Sequence, residues 1–131
     1  VLVDELIVQF AAYEALPGLH VNGPLTVGEN IGDLGGVSLA FAAYERSLQG
    51  NEAPVLDGMT GAQRFFLSWA QVWRELRREE SLRNQVATDT HSPALFRVDG
   101  VVRNVDAWYE AFDVQPGDAL YLAPEDRVQI W

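Results

Sequence analysis

Apolar residues recur at intervals of three and four positions along most of this chain of 131 residues. That spacing is typical of helices that bury one face. Proline and glycine in Leu16-Pro17-Gly18 end the first such stripe, because neither residue continues a helix readily. No stretch alternates apolar and polar residues convincingly enough to predict a strand. The residues of the first stripe are Val3, Leu6, Ile7, Phe10 and Tyr13.

A second and longer helix is predicted next. Thr26 and Glu29 have the spacing of a capping box, which places the start of the helix at Thr26. The segment Gly50 to Pro54 ends it and opens a loop that reaches about Met59. The predicted buried face of this helix consists of Ile31, Leu34, Val37, Phe41, Tyr44 and Leu48.

Another face of the same helix carries two carboxylates and almost no side-chain bulk. Its residues are Glu29, Gly32, Asp33, Gly36, Ala40 and Ala43, which we call the small-residue face. Because a glycine inside a helix costs about 1 kcal/mol relative to alanine, these glycines indicate close approach by another backbone. For Glu29 two interpretations stay open, a helix cap and a metal ligand.

Three further helices are predicted. Thr60 and Gln63 form a second capping box, and the charged run 74–83 indicates a solvated helix surface. Ser92-Pro93 predicts an N-cap with proline at the first helical position, for a helix reaching about Arg103. Asn104 is the predicted cap of a last helix. The aromatic face of the helix after Thr60, predicted to be core, contains Phe65, Phe66, Trp69, Val72, Trp73 and Leu76.

Composition narrows the possible classes of protein. With 48 % hydrophobic and 11 % aromatic residues, the chain predicts one folded domain, a small all-α bundle. The net charge of −10 argues against a nucleic-acid partner. The absence of cysteine excludes disulfides and thiolate metal sites, and no apolar run is long enough to cross a membrane. Because the chain starts at Val1 inside a helical pattern, we expect it to be cut from a longer protein.

Three blocks of residues resemble the neprilysin-like (M13 family) zinc metallopeptidases. The segment Glu29 to Gly36, preceded by Leu16 to Gly23, resembles the E-N-I-A-D-L-G-G motif of that family, with Gly32 in place of alanine. The segment Asp89 to Val98 resembles the block D-x-H-S-P-x-x-F-R-V, although Asp99 follows it where asparagine is usual. The segment Ala70 to Trp73 resembles a third block.

The resemblance implies a role for six residues. Glu29 would be the third zinc ligand, and Asp33 would orient a zinc-binding histidine. His91 would stabilise the tetrahedral intermediate, and Arg97 would hold the peptide carbonyl of the substrate. Val72 and Trp73 would line the pocket for the residue after the scissile bond. Without the resemblance, a single histidine such as His91 near a helix start is more often a surface or capping residue than a catalyst, and Arg97 is typical of a surface ion pair.

The other half of the implied zinc site is absent. In this family two histidine ligands and the general base belong to an H-E-x-x-H helix, whereas the only histidines here are His20 and His91, and glutamate follows neither. The resemblance therefore implies that residues 1–131 are the C-terminal piece of a thermolysin-like catalytic domain. The expected partners are peptide substrates and the missing H-E-x-x-H portion, and Zn²⁺ binding by the chain alone should be weak or absent.

The resemblance also implies a bacterial type of member. Arg74, Val114 and Val128 stand about where animal members have cysteines. Trp131 matches the carboxyl end of the family, so we expect the true C-terminus. Members of the family are secreted, membrane-anchored or cytosolic, and an extracytoplasmic location is favoured here over a cytoplasmic one.

Two alternatives to a peptidase piece remain from the sequence. In the first, the chain is a non-enzymatic helical interaction domain whose glycines serve a helix contact with a protein partner. In the second, His20, Glu29 and His91 form a metal site by themselves, although nothing in their spacing brings them together.

Overall fold

The computed structural model describes residues 2–130, and within them it is mainly helical, as predicted. Trp131, the residue matched to the carboxyl end of the family, lies outside the described residues. The helices are α1 (Leu2–Ala11), α2 (Gly23–Ser47), α3 (Gly61–Val72), α4 (Glu79–Thr88), α5 (Ala94–Val102) and α6 (Asp106–Phe112), followed by one 3₁₀ turn (Pro124–Asp126).

A short hairpin between α1 and α2 corrects the prediction that the chain has no strand. Strands β1 (Glu14–Leu16) and β2 (Leu19–His20) pair antiparallel through the turn at Pro17-Gly18. Gly18 adopts a φ of 75°, and its backbone N–H donates to the Glu14 carboxylate over 2.6 Å. Strands of three and two residues are too short to show an alternating pattern, which explains why the sequence gives no sign of them.

Helix α2 begins at Gly23, so the predicted start at Thr26 is wrong. The cap is Asn22, whose side-chain oxygen accepts from the backbone N–H of Leu25 over 3.1 Å. Pro24 occupies the first turn, where its missing N–H costs nothing. Glu29 therefore lies inside the helix, and its interpretation as part of a capping box falls away.

The core forms where α1 and α5 pack on α2, and α3 packs on α5 and α6. The predicted faces of α1 and α2 supply much of it. Gly100 allows α1 and α5 to approach closely, because a Cβ there would lie 2.8 Å from Cζ of Phe10. The buried apolar residues are Leu6, Phe10, Val21, Leu34, Val37, Phe41, Phe66, Phe96, Val101, Val102, Val105 and Val128.

The predicted aromatic face of α3 is only partly core. Thr60 and Gln63 make the expected capping box, and Phe66 is buried. However, α3 ends at Val72, which is 72 % exposed, and Leu76 is fully exposed beyond it. Residues 74–78 lie outside the helices and α4 begins at Glu79, so the charged run is solvated as predicted but helical only in its second half.

Two predicted caps have other roles. Helix α5 takes Pro93 as its N-cap, and Ser92 is buried with its hydroxyl directed elsewhere. Helix α6 takes Val105 as its N-cap. Asn104 instead accepts a hydrogen bond from the backbone N–H of Val128 and donates to the Gly100 carbonyl, so it fixes the C-terminal segment. A polar side chain beside a helix start is indistinguishable in sequence from a cap when its partner is distant in the chain.

Among the described helices, none combines the length and the apolar character that crossing a bilayer requires.

Candidate functional site

Two side-chain contacts join α2 to α5 and to the segment that leads into it. Glu29 Oε2 lies 3.2 Å from His91 Nε2. One helical turn later, Asp33 binds Arg97 of α5. The two blocks that the sequence places more than fifty residues apart therefore face each other.

Arg97 is held rigidly by three contacts. Its Nε and Nη2 donate to the two carboxylate oxygens of Asp33, each over 2.6 Å. Its guanidinium carbon lies 3.9 Å from the ring centroid of Trp73. Its backbone carbonyl accepts from Trp69 Nε1 over 3.2 Å. Since the Arg97 and Asp33 side chains are only 14 % and 10 % exposed, this planar two-bond pair is well shielded from water.

His91 lies between two carboxylates. Its Nδ1 is 2.7 Å from Asp89 Oδ1, and its backbone N–H donates to the same oxygen over 2.9 Å. These hydrogen bonds, the backbone one first, lower the pKa of Asp89 below its ordinary value of 3.8. Because each ring nitrogen faces a carboxylate oxygen, both contacts are hydrogen bonds when the ring carries both protons.

The three side chains His91, Arg97 and Trp73 line one cleft of about 240 Å³. Its remaining walls come from the segment 74–78 and from α4, and they include Arg77 and Gln85. Val72 is not among the residues lining this cleft, although the resemblance assigned Val72 and Trp73 to the same substrate pocket.

The small-residue face of α2 is open around its glycines. A Cβ built on Gly28, Gly32 or Gly36 would meet no described atom within 4 Å outside its own turn of helix. Gly32, Gly36, Ala40 and Ala43 are all exposed. The backbone that these glycines were expected to admit is therefore not found within residues 2–130.

The described residues contain no group of three histidine, cysteine, aspartate or glutamate side chains that could hold a metal ion. A set made of His20, Glu29 and His91 is thus not supported. A catalytic zinc takes three protein ligands and an open position, and Glu29, half-exposed and in contact with His91, fits the role of one carboxylate ligand among them.

The sequence did not reveal how the two blocks are joined. The Asp33–Arg97 pair is one such connection. A second is the hydrogen bond from the buried Ser92 hydroxyl to Asn30 Oδ1, 2.8 Å long. Both pairs consist of residues inside the quoted motifs, but a motif fixes the order of residues and not their partners.

Comparison with known proteins identifies the family. The family model described as "Peptidase family M13" matches residues 3–128 of the sequence. The chain belongs to peptidase family M13. This M13 chain is 39 % identical over 130 residues to endothelin-converting enzyme 1 of Bos taurus, covering 96 % of this chain and 17 % of the relative. It is 37 % identical over 123 residues to neprilysin of Homo sapiens, covering 92 % and 16 %. The chain thus spans about a sixth of the length of these relatives.

Solved structures agree with this assignment. The M13 chain superposes on a Mycobacterium tuberculosis zinc metalloprotease, Zmp1, in complex with an inhibitor, with a TM-score of 0.96 and 54 % identity. The match covers 99 % of this chain and 21 % of Zmp1. For PepO of Lactobacillus rhamnosis the TM-score is 0.82 at 38 % identity, covering 99 % and 19 %. The part matched in such structures is the C-terminal part, as the resemblance implied.

Proposed function

We propose that this chain is the part of a zinc metalloendopeptidase that supplies one metal ligand and the substrate-stabilising side chains. The observation that carries the proposal is that Glu29 and Asp33 of α2 contact His91 and Arg97, the two residues of the other motif that line one cleft. Family membership supports it, and so does the zinc metalloprotease among the matched structures. The chain by itself is proposed to be inactive.

Glu29 is the proposed zinc ligand of this chain. It projects from the second turn of a long helix, so its backbone is fixed by α2 and only its side chain must adjust. When bound, zinc lowers the pKa of water and polarises the substrate carbonyl. Asp33, one turn further on, is proposed to orient a ligand imidazole supplied from outside this chain, in addition to its contact with Arg97.

His91 is proposed to donate a hydrogen bond to the oxyanion that develops on the scissile carbonyl. Asp89 holds Nδ1 and the backbone of His91, which leaves Nε2 as the nitrogen directed towards Glu29. A donor placed beforehand in this way needs little reorganisation during the reaction. The Nε2–Glu29 contact indicates that the donor lies on the same side as the proposed metal ligand.

Arg97 is proposed to bind a backbone carbonyl of the peptide substrate. Asp33 uses Nε and Nη2 and Trp73 covers the guanidinium plane, so Nη1 is the nitrogen with no hydrogen bond to Asp33. The orientation of this donor is fixed before substrate arrives, which lowers the entropic cost of binding. Trp73 and Val72 are proposed to contact the residue after the scissile bond.

The remaining ligands and the general base are proposed to come from an H-E-x-x-H helix in a further part of the same protein. The open glycine positions beside Glu29 support this arrangement, because they admit a closely packed partner helix at the place where the metal must be shared. The alternative of a non-enzymatic interaction domain accounts for the open face but not for the ordered Asp89–His91 and Asp33–Arg97 contacts.

The proposal is tested by peptide hydrolysis with the full-length protein. An unstructured oligopeptide with a fluorescent donor and quencher should be cleaved, and a zinc chelator should abolish cleavage until zinc is restored. Activity that survives complete removal of zinc, or no cleavage across a panel of oligopeptides by the zinc-loaded protein, would contradict the proposed function.

A further inference from the structure

A buried chain of hydrogen bonds runs beside the proposed site. Thr26, Asn30 and Ser92 are 3 %, 1 % and 1 % exposed. The Ser92 hydroxyl donates to Asn30 Oδ1 over 2.8 Å, and Asn30 Nδ2 donates to Thr26 Oγ1 over 3.0 Å. The Thr26 hydroxyl in turn donates to the Asn22 carbonyl, also over 3.0 Å. All three bonds point in the same direction, so each side chain has a defined orientation and each bond strengthens the next.

Two residues of this network are direct neighbours of site residues in the chain. Asn30 directly follows Glu29, and Ser92 directly follows His91. A single buried hydrogen bond therefore connects the neighbours of the two site residues whose side chains meet at 3.2 Å. A hydrogen bond is directional and has a narrow range of lengths, so this one limits the separation of the two backbone segments that it joins.

The segment that carries His91 depends on such side-chain bonds because it has no secondary structure of its own. It lies between the end of α4 at Thr88 and the start of α5 at Ala94. Gln85 Nε2 lies 3.4 Å and 3.5 Å from the carbonyl oxygens of His91 and Ser92. Arg77 holds Gln85 through a bond of 2.7 Å to Oε1. These side-chain contacts from Gln85 are longer than the Ser92–Asn30 bond, which joins the segment to α2.

We propose that Asn30 and Ser92 are positioning residues, whose mutual hydrogen bond sets the separation between Glu29 and His91. This inference rests on the proposed function, in which those two side chains act on the metal and on the oxyanion. Asn30 and Ser92 are each only 1 % exposed, so their proposed action is indirect. They act by holding the His91 segment against α2, so that the donor nitrogen meets the carbonyl of a bound peptide at the right distance.

The test uses Ser92→Ala and Asn30→Ala in the full-length, zinc-loaded protein, with Ser38→Ala as the matched control. Ser38 is a part-buried hydroxyl on the same helix, but it donates only to the Leu34 carbonyl of α2. Two measurements are made on each variant: kcat and KM for an oligopeptide, and the distance between Glu29 Oε2 and His91 Nε2 in a crystal structure.

For Ser92→Ala and for Asn30→Ala we expect kcat to fall roughly tenfold with KM little changed, and the double variant to be no worse than either single one. The distance should lengthen or the His91 ring should lose a single orientation, whereas Ser38→Ala should leave both measurements unchanged. An unaltered Glu29–His91 distance in Ser92→Ala and Asn30→Ala would overturn the inference whatever the protein catalyses. A lengthened distance with wild-type kcat in an active protein would also overturn it. An inactive wild type would count against the proposed function, and the crystallographic distance would still decide the positioning role.

Discussion

His91 is the site residue for which the proposed role makes the sharpest prediction. Both of its ring nitrogens have carboxylate neighbours, and only Nε2 is directed at the proposed metal ligand. In the full-length protein His91→Gln should leave the zinc content unchanged and lower kcat by about 10²–10³, the typical cost of losing one oxyanion donor. KM should change less, because such a donor acts mainly in the transition state.

The control for this substitution is His20→Gln, at the other histidine of the chain, which is exposed on β2. Metal analysis and steady-state kinetics of the two purified variants check the predicted zinc content and kcat. Loss of zinc from His91→Gln would show that His91 is a metal ligand and that its assignment to the oxyanion is wrong.

Asp33 has two partners in this account, one observed and one proposed. The observed partner is Arg97, and removing one member of a shielded ion pair typically lowers the free energy of unfolding by about 3–5 kcal/mol, because the other charge is left without compensation. Because Arg97 is proposed to bind a carbonyl of the peptide, Arg97→Gln should raise KM for peptides. Asp33→Asn should do the same by releasing Arg97. The double variant should be less impaired than the sum of both effects, with a coupling of about 0.5–3 kcal/mol in kcat/KM.

A double-mutant cycle on kcat/KM measures this coupling, with Arg83→Gln as a control for loss of positive charge at the exposed Arg83–Glu79 pair. Strictly additive effects would contradict a shared function of Asp33 and Arg97. They would leave Asp33 with only its proposed role beside a metal-binding histidine.

At the residue level the sequence identified side chains but not their partners. Glu29, Asp33, His91 and Arg97 were found because they belong to recognisable motifs. Their pairing, and the Asn30–Ser92 bond, depend on contacts between positions more than sixty residues apart, which no local pattern encodes. Val72 shows a different error. Its apolar spacing predicted a buried position, but α3 ends at Val72 and leaves the side chain exposed.

At the level of the helices, long periodic stretches were predicted well and their ends were not. The apolar faces of α1 and α2 are mostly buried as their spacing indicates, with Val3 of α1 as an exposed exception. The start of α2 was misplaced because Thr26 has the right spacing for a cap, whereas Asn22 with Pro24 provides a better one. The break before α4 was missed because charged residues suit both a solvated helix and an exposed loop.

One glycine of α5 and one of α2 yield opposite predictions about stability. Gly100→Ala in α5 should destabilise the protein, because its Cβ would approach within 2.8 Å of the buried Phe10 ring. A Cβ added at Gly32 would meet no described atom within 4 Å. In the 131-residue chain Gly32→Ala should therefore raise the free energy of unfolding by up to about 1 kcal/mol, because alanine has the higher helix propensity. In the full-length protein the same Gly32→Ala change should reduce activity, because the partner helix can no longer approach.

Denaturant unfolding of the 131-residue variants and peptide hydrolysis by the full-length ones check this prediction. Full activity and higher stability of Gly32→Ala in the full-length protein would show that no backbone packs against this position.

At the level of the whole molecule, the chain presents one side of a site rather than a complete one. With a single proposed ligand and no three-residue metal group among residues 2–130, the 131-residue chain should bind zinc only weakly. Calorimetric titration of this chain at neutral pH checks the expectation. A sub-micromolar site of one-to-one stoichiometry would mean that the ligands have been assigned wrongly.

The most direct test of the account is the zinc content of the full-length protein in which Glu29 is replaced. Elemental analysis should find about one zinc per molecule in the wild type and in the control Glu45→Gln, an exposed glutamate on the same helix. The Glu29→Gln protein should have lost most of its zinc and its activity while keeping a similar melting temperature, because Glu29 caps no helix. A Glu29→Gln protein that retained full zinc and full activity would contradict the claim that this chain contributes a metal ligand to a zinc peptidase.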